Sequence, residues 1–197
     1  MTAIIITSIF LGIGLAMDAC AVSMANGLKE PNMKINKTVF IALMFGLFQG
    51  LMPLIGYFVG AQVLTKIEWI IPWVALIILG FLGSKMIHDG IKGEDEEVNK
   101  DLTIKLILVQ ALATSIDALS VGFTISDYKV VEAIISTGLV ALITFFICFC
   151  AVFIGKEFGT KLGNKAVIFG GVILILIGIE IFIQPFGRLR LQQRSSR

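Results

Sequence analysis

The sequence predicts an all-α membrane protein with six transmembrane helices, built as two inverted three-helix repeats. Of the 197 residues, 57% are hydrophobic and only 15% are charged, and the mean hydropathy is +0.95. A soluble domain has about 25% charged residues, so this composition indicates an integral membrane protein. At about 20 residues per span, the length holds six helices and leaves no room for a large soluble domain.

Six apolar runs are bounded by charged or turn-forming residues, and each predicts one span. They fall at 2–25, 38–60, 69–90, 104–125, 130–154 and 166–184. We therefore divide the chain into a first three-helix repeat, an acidic cytoplasmic loop, a second three-helix repeat and a basic C-terminal tail. The boundaries of these four parts are 1–91, 92–103, 104–186 and 187–197.

Two similar segments support the division into repeats. Met17–Ser23 and Ile116–Gly122 each place one aspartate in an apolar run, and Asp18 and Asp117 are 99 residues apart. The same shift aligns Gly56 with Gly155. Because each half has three spans, the second half must enter the membrane from the opposite side. Inverted repeats of this kind are common in secondary transporters.

The lysines predict the orientation. The second and fourth loops hold only Lys66 and Lys129, and the C-terminal tail carries four arginines. Positive loops stay in the cytoplasm, so we expect the odd-numbered loops there and both termini outside, with the first helix retained rather than cleaved. The lysines of the odd loops are Lys29, Lys34, Lys37, Lys92, Lys100, Lys105, Lys156, Lys161 and Lys165.

Several function classes are excluded. A net charge of +2 without a basic stripe argues against nucleic-acid binding. No segment fits the phosphate-binding loop of ATPases, which leaves an ion gradient as the energy source. Cys20, Cys148 and Cys150 are an odd number of cysteines in apolar runs, so we expect neither a disulfide scaffold nor a soft-metal site.

The two aspartates are the candidate binding groups. A carboxylate at the centre of a membrane helix costs about 2.5–3.5 kcal/mol on insertion scales, so such residues are functional by default. Thr114, Asp117 and Ser120 recur at helical spacing and form a polar stripe. On the first helix, Asn26 ends the face that carries Asp18. The alternative is that each aspartate only bonds a neighbouring helix.

The second helix adds Gln49 and Pro53 at membrane depth. Proline has no N–H, so Pro53 leaves the carbonyl of Gln49 without its helical donor. Carboxylate, amide and carbonyl oxygens are hard ligands that suit manganese, calcium or magnesium. The alternative is an ordinary proline kink.

Other charged groups have weaker patterns. Glu180 and Lys85 lie inside predicted spans and are candidates for charge balance or proton transfer, although both are near span ends and can reach the interface. His88 is expected to be an exposed boundary residue. The acidic run 94–97 is either a solvated loop or a cation sensor.

Six ordered motifs carry a resemblance to a known family, namely Met17–Ser23, Phe45–Gly46, Gln49, Met52–Gly56, Gly83–Ile87 and Ala113–Leu119. They resemble the bacterial manganese-efflux pump family of the MntP type. The resemblance covers nearly the whole chain and implies export of Mn²⁺ from the cytoplasm, with no cofactor. It maps the paired membrane aspartates of the family onto Asp18 and Asp117, and some relatives have a glutamate in place of Gln49. The family is similar to a wider group of lysine and cadmium exporters.

The predicted function is a secondary active Mn²⁺ exporter of the bacterial cytoplasmic membrane, with alternating access and proton antiport as a reasonable coupling. Its partners are Mn²⁺ as substrate and the lipid bilayer, and a homo-oligomer is compatible with the sequence. One alternative is an intramembrane aspartyl protease, although the expected Gly-x-Gly-Asp pattern is missing before Asp18. Another is a regulatory membrane protein that keeps the fold without transport.

Overall fold

The computed structural model describes residues 2–59, 71–92, 102–162 and 164–195, and within these ranges the regular structure is entirely helical. The all-α prediction is therefore confirmed. The helices in chain order are α1 (Thr2–Lys29), α2 (Ile35–Val59), α3 (Ile71–Lys92), α4 (Ile104–Thr114), α5 (Ile116–Thr124), α6 (Val130–Leu162) and α7 (Asn164–Ser195).

Six elements correspond to the six predicted spans. Four are long and apolar enough to cross a membrane, namely α1, α2, the α4–α5 pair and α6. The other two contain shorter apolar stretches, Leu76–His88 in α3 and Val167–Glu180 in α7. Large apolar side chains such as Phe10 and Phe81 are more than 70% exposed, as expected of a surface that faces lipid.

The helix ends differ from the predicted span ends. α6 ends at Leu162 rather than at 154, and α7 continues to Ser195 rather than 184. Hydropathy marks where a helix leaves the membrane, whereas the helix itself can continue in water. In α6 the extension carries a Glu157–Lys161 ion pair of 2.8 Å at i,i+4 spacing, which stabilises exposed helix. Most of the predicted acidic loop, residues 93–101, lies outside the described residues.

The fourth span is two helices rather than one, because the helical ladder breaks at Ser115. The N–H of Ser115 donates to the carbonyl of Leu112 at 3.2 Å, three residues back instead of four. The carbonyl of Ala111 instead accepts the Ser115 hydroxyl at 2.7 Å. A side chain thus replaces a lost backbone bond, and α5 begins at Ile116.

The closest helix contacts occur at glycines. A Cβ atom added to Gly27 of α1 would lie 2.3 Å from the Val152 carbonyl oxygen of α6, and one added to Gly155 would lie 2.2 Å from that of Met24. Only glycine permits backbones to approach this closely. The same holds between α2 and α5, where a Cβ at Gly56 would lie 2.1 Å from the Leu119 oxygen.

A second set of contacts joins the remaining helices. α3 and α7 cross at Gly83 and Gly171, where added Cβ atoms would lie 2.5 and 2.6 Å from the opposite glycine's oxygen. α2 packs on α6 through Gly46 and Gly50, and α7 approaches α1 at Gly170. α6 therefore contacts both α1 and α2, and the α3–α7 pair rests against α1.

The described residues that follow α1, precede α4 and lie near the end of α6 meet at one end of the molecule. Glu30, after α1, accepts hydrogen bonds from Lys37 and from the backbone N–H of Leu102, which precedes α4. Lys156, near the end of α6, donates to the Met33 carbonyl at 2.7 Å. We call this the odd-loop end of the bundle.

Candidate cation site

Asp18 lies near the middle of α1, which runs through it without interruption. The residue is partly exposed, whereas its neighbours Ala19 and Val22 are fully buried. Asp18 therefore lies at the edge of the packed face of α1. The carboxylate of Glu180 on α7 is close enough for the two charges to repel each other. A cation at Asp18 would relieve that repulsion.

Asp117 has a different local setting, in the first turn of α5 and two residues after the break at Ser115. Its Oδ1 accepts the backbone N–H of Ala118 at 2.8 Å, and the side chain is partly buried. The first N–H groups of a helix have no intrahelical acceptor and favour negative charge nearby. The helix break therefore provides a suitable place for a carboxylate inside the span.

Gln49 of α2 is fully buried and reaches α1. Its Nε2 donates to the Leu15 carbonyl at 2.6 Å, three residues before Asp18. Its Oε1 is buried and has no hydrogen-bond partner among the described residues. An unsatisfied buried amide oxygen is costly, so it calls for an explanation such as a bound ion. α2 continues through Pro53, whose missing N–H leaves the Gln49 carbonyl without its helical donor.

α2 contacts both helices that carry the aspartates. Gln49 reaches α1 one turn from Asp18, and Gly56 meets the backbone of α5 at Leu119, two residues after Asp117. Within the described ranges, no group of three or more His, Cys, Asp and Glu side chains could hold a metal ion. A cation bound here would therefore need amide, hydroxyl or carbonyl oxygens beside the carboxylates.

The hydroxyl groups of the predicted polar stripe are partly engaged. Thr114 donates to the carbonyls of Gln110 and Ala111 at 3.0 and 3.3 Å, which leaves its oxygen able to accept. Ser120, one turn after Asp117, is partly buried. Thr144 of α6, which the sequence reasoning missed, has a buried Oγ1 with no partner in the described part of the chain. The apolar sequence around Thr144 contains no pattern that marks it as a site residue.

Asn26 is paired with a residue that the sequence reasoning also missed, Gln110 of α4. Asn26 Nδ2 donates to Gln110 Oε1 at 2.9 Å, and Gln110 Nε2 donates back to Asn26 Oδ1 at 3.1 Å. Asn26 is eight residues beyond Asp18, or about 12 Å along the helix. The structure thus separates Asn26 from the aspartates. An amide within an apolar run, as at Gln49, was the available signal for Gln110.

Lys85 and Glu180 lie on neighbouring helices but at different depths. Gly83 of α3 packs on Gly171 of α7, nine residues before Glu180, which corresponds to about 14 Å along the axis. Both charged side chains are exposed, and so is His88 at the end of α3. The crossing therefore keeps Lys85 away from Glu180.

Comparison with known proteins identifies the family. A family model described as "Putative manganese efflux pump" matches residues 32–182. The chain belongs to the manganese efflux pump family. Efflux pumps are transporters rather than enzymes, which disfavours the protease alternative. With its apolar spans, the family also confirms a multi-pass protein of the cytoplasmic membrane.

Three curated relatives that match most of the chain are each named "Putative manganese efflux pump MntP". The relative from Ruminiclostridium cellulolyticum is 44% identical over 89% of this chain and 94% of its own length. The one from Campylobacter hominis is 43% identical, with 92% and 98% coverage. The relative from Gloeothece citriformis is 41% identical, with 93% and 97% coverage. No solved structure matches the chain.

Proposed function

We propose that this chain exports Mn²⁺ across the bacterial cytoplasmic membrane, with Asp18 and Asp117 as the charged ligands. Gln49 supplies a neutral ligand, and Thr114 and Ser120 are the hydroxyl candidates beside Asp117. The observation that carries the proposal is the buried Oε1 of Gln49. This oxygen lacks a hydrogen-bond partner among the described residues, and the Nε2 of the same amide bonds the Leu15 carbonyl, three residues before Asp18.

The charges and donor types support a divalent cargo. Two carboxylates neutralise one Mn²⁺, so the loaded site carries no net charge inside the membrane. Manganese prefers carboxylate, carbonyl and water oxygens, and Gln49 and the hydroxyls are of that type. Membership of the family and the names of its members favour manganese among the hard divalent ions.

We further propose the inverted-repeat arrangement with alternating access. Two crossings support it, one between α1 and α6 and one between α2 and α5, each with one glycine on either helix. Gly155 and Gly56, from α6 and α2, are 99 residues apart, like the aspartates. Gly122 of α5 and Gly27 of α1 are 95 residues apart. The α5 glycine therefore lies four residues, or about one helical turn, before the position that a 99-residue shift gives.

Coupling to protons follows from the same carboxylates. When the cation leaves, Asp18 and Asp117 lose their counter-charge inside the membrane, and protonation is the simplest compensation. Glu180 of α7, whose charge acts on Asp18, is the candidate that delivers the proton. One copy of the chain suffices for this mechanism, and a homo-oligomer stays a prediction.

The test is complementation in a bacterium that lacks its own manganese exporter. Under manganese stress, the native chain is expected to restore growth and to lower cell manganese, whereas Asp18→Asn and Asp117→Asn are expected to do neither. Asp127→Asn is the matched control, because Asp127 is exposed in the connection between α5 and α6. If the native chain neither restores growth nor lowers cell manganese, the chain is not a manganese exporter and the regulatory alternative gains support. If the two membrane variants match an active native chain, the aspartates are not its ligands.

A further inference from the structure

The Asn26–Gln110 pair is a buried side-chain link between two helices that lead to the aspartates. Both residues are fully buried, and each amide donates to the other at 2.9 and 3.1 Å. Asn26 is on α1 with Asp18, and Gln110 is on α4, which continues through the break at Ser115 to Asp117.

The position of the pair is similar on both helices. Asn26 is eight residues after Asp18, and Gln110 is seven residues before Asp117, which correspond to about 12 and 10 Å along the axes. In both helices this displacement points toward the odd-loop end, where Glu30 meets the N–H of Leu102. The pair therefore lies between the aspartates and that end of the bundle.

We propose that Asn26 and Gln110 form a gate that closes the cation path at the odd-loop end. The proposal rests on the proposed function, since a gate presupposes a transported ion. The lysine distribution predicts this end to be cytoplasmic, so the gate would admit Mn²⁺ from the cell interior. Both amide bonds are formed in the structure, so this gate is closed.

The chemistry of two amides suits a gate. Both bonds are between neutral groups, and water can replace them when the helices separate. An ion pair at the same place would bind more strongly and would repel or trap a cation. When the pair opens, the oxygens Oδ1 and Oε1 become available, and they are hard ligands that can accept a partly hydrated divalent ion.

Other contacts of α1 suit joint movement rather than opening. α1 and α6 are in backbone contact at Gly27 and Gly155, and near the other end the Ser8 hydroxyl donates to Ser136 at 2.7 Å. Two helices joined along most of their length are expected to move together. For α1 to leave α4 at the odd-loop end, the amide pair must break, and so must the bond from the Leu102 N–H to Glu30.

The first test is a reversible cross-link in the full-length chain, reconstituted in liposomes, with Cys20, Cys148 and Cys150 replaced by alanine. Asn26→Cys with Gln110→Cys is treated with a short bis-methanethiosulfonate reagent. Mn²⁺ entry is measured by quenching of a trapped fluorescent chelator. We expect at least a tenfold loss of flux on cross-linking and recovery after reduction.

The control is the pair Ser8→Cys and Ser136→Cys, which joins α1 to α6. Its cross-link is expected to change flux less than twofold. Equal loss in both pairs, or no loss at Asn26 and Gln110, would overturn the gate. If the uncross-linked proteins and their cysteine-free parent carry no Mn²⁺, the proposed function itself fails, which is a different result.

A second test does not depend on transport. Val22 is fully buried on α1, four residues from both Asn26 and Asp18, so a cysteine there reports on the space behind the gate. Its modification by a polar thiol reagent from the odd-loop side is measured in liposomes. Asn26→Asp with Gln110→Glu places two carboxylates face to face and is expected to speed modification at least tenfold. Asn26→Asp alone can still accept from Gln110 and is expected to stay within threefold.

Native Cys148, which is fully buried on α6, controls for general loosening. In a parallel set of variants, Val22 is kept and only Cys20 and Cys150 are replaced, so Cys148 is the single thiol. Its modification rate is expected to stay unchanged in the double acidic variant. An equal rise at Cys148, or an unchanged rate at Val22→Cys, would contradict a gate at Asn26 and Gln110.

Discussion

Asp18 and Asp117 occupy matching places in the two halves of the sequence, but their helices differ. α1 is continuous from Thr2 to Lys29, whereas the fourth span breaks at Ser115. The 99-residue shift aligns Ser115 with Ala16, so the hydroxyl that supports the break has no counterpart in α1. Serine in one half and alanine in the other thus accompany a broken helix and a continuous helix.

The comparison shows two ways of keeping a carboxylate inside a span. Asp117 accepts the N–H of Ala118 near the start of a helix, where the backbone favours negative charge. Asp18 is in mid-helix, where the backbone N–H groups are already used. We infer that Asp18 depends more strongly on the bound cation, on Gln49 or on protonation than Asp117 does.

The largest expected effects come from the aspartates themselves. Loss of an outer-shell partner costs about 10–100-fold in metal affinity, so loss of a direct ligand in Asp18→Asn or Asp117→Asn should cost at least that much. Without metal, Asp18→Asn should raise the melting temperature, because it removes a poorly compensated charge. Asp117→Asn should leave it nearly unchanged, because its amide oxygen can keep the Ala118 bond. Equal shifts in melting temperature for the two variants in detergent would contradict this difference between Asp18 and Asp117.

The glycine crossings should show the next largest effect. An added Cβ at Gly122 would lie 2.0 Å from the Pro53 oxygen, so Gly122→Ala must displace α5 from α2. Overpacking of this kind costs about 1–3 kcal/mol. Gly14→Ala is the matched control, since nothing lies within 4 Å of its added Cβ, and alanine in a helix is favoured by about 0.5–1 kcal/mol. Thermal unfolding in detergent measures both, and similar values would refute the close contact.

Substitutions of Gln49 test whether α2 supplies a ligand beside Asp18. Gln49→Leu removes the free Oε1 and the bond to Leu15, and we expect Mn²⁺ affinity to fall by about tenfold, the lower end of the range for metal partners. Gln49→Glu supplies a charged oxygen and should bind Mn²⁺ at least as tightly. Calorimetric titration of the purified variants measures this order, and a weaker Glu variant would place the cation elsewhere.

The smallest effect is expected at the break. Ser115→Ala removes the bond to the Ala111 carbonyl, which is worth about 1 kcal/mol, or about 2–4 °C in melting temperature. Ala16→Ser, the reciprocal change, should leave α1 continuous, because a hydroxyl in mid-helix can bond the carbonyl four residues back without breaking the ladder. A larger loss on Ala16→Ser than on Ser115→Ala would argue against a special role for Ser115.

Much of the fold and part of the site were predictable because they depend on local composition. Apolar runs of about 20 residues need a membrane, and isolated acids such as Asp18 and Asp117 within them need a reason. The ends of α6 and α7 were not predictable from hydropathy, since a helix can continue after its apolar run ends. Gln110 and Thr144 were missed because a single polar residue in an apolar run does not reveal its partner.

The sequence by itself determined the helical membrane class of the molecule and the family that it resembles, and it selected Asp18 and Asp117 as candidate ligands. These follow from residue type and order along one chain. The tertiary structure decided which groups meet. It pairs Asn26 with Gln110 rather than with Asp18, brings Gln49 to α1, and separates Lys85 from Glu180. Such contacts depend on helix crossings at single glycines, whose position and depth no local pattern specifies.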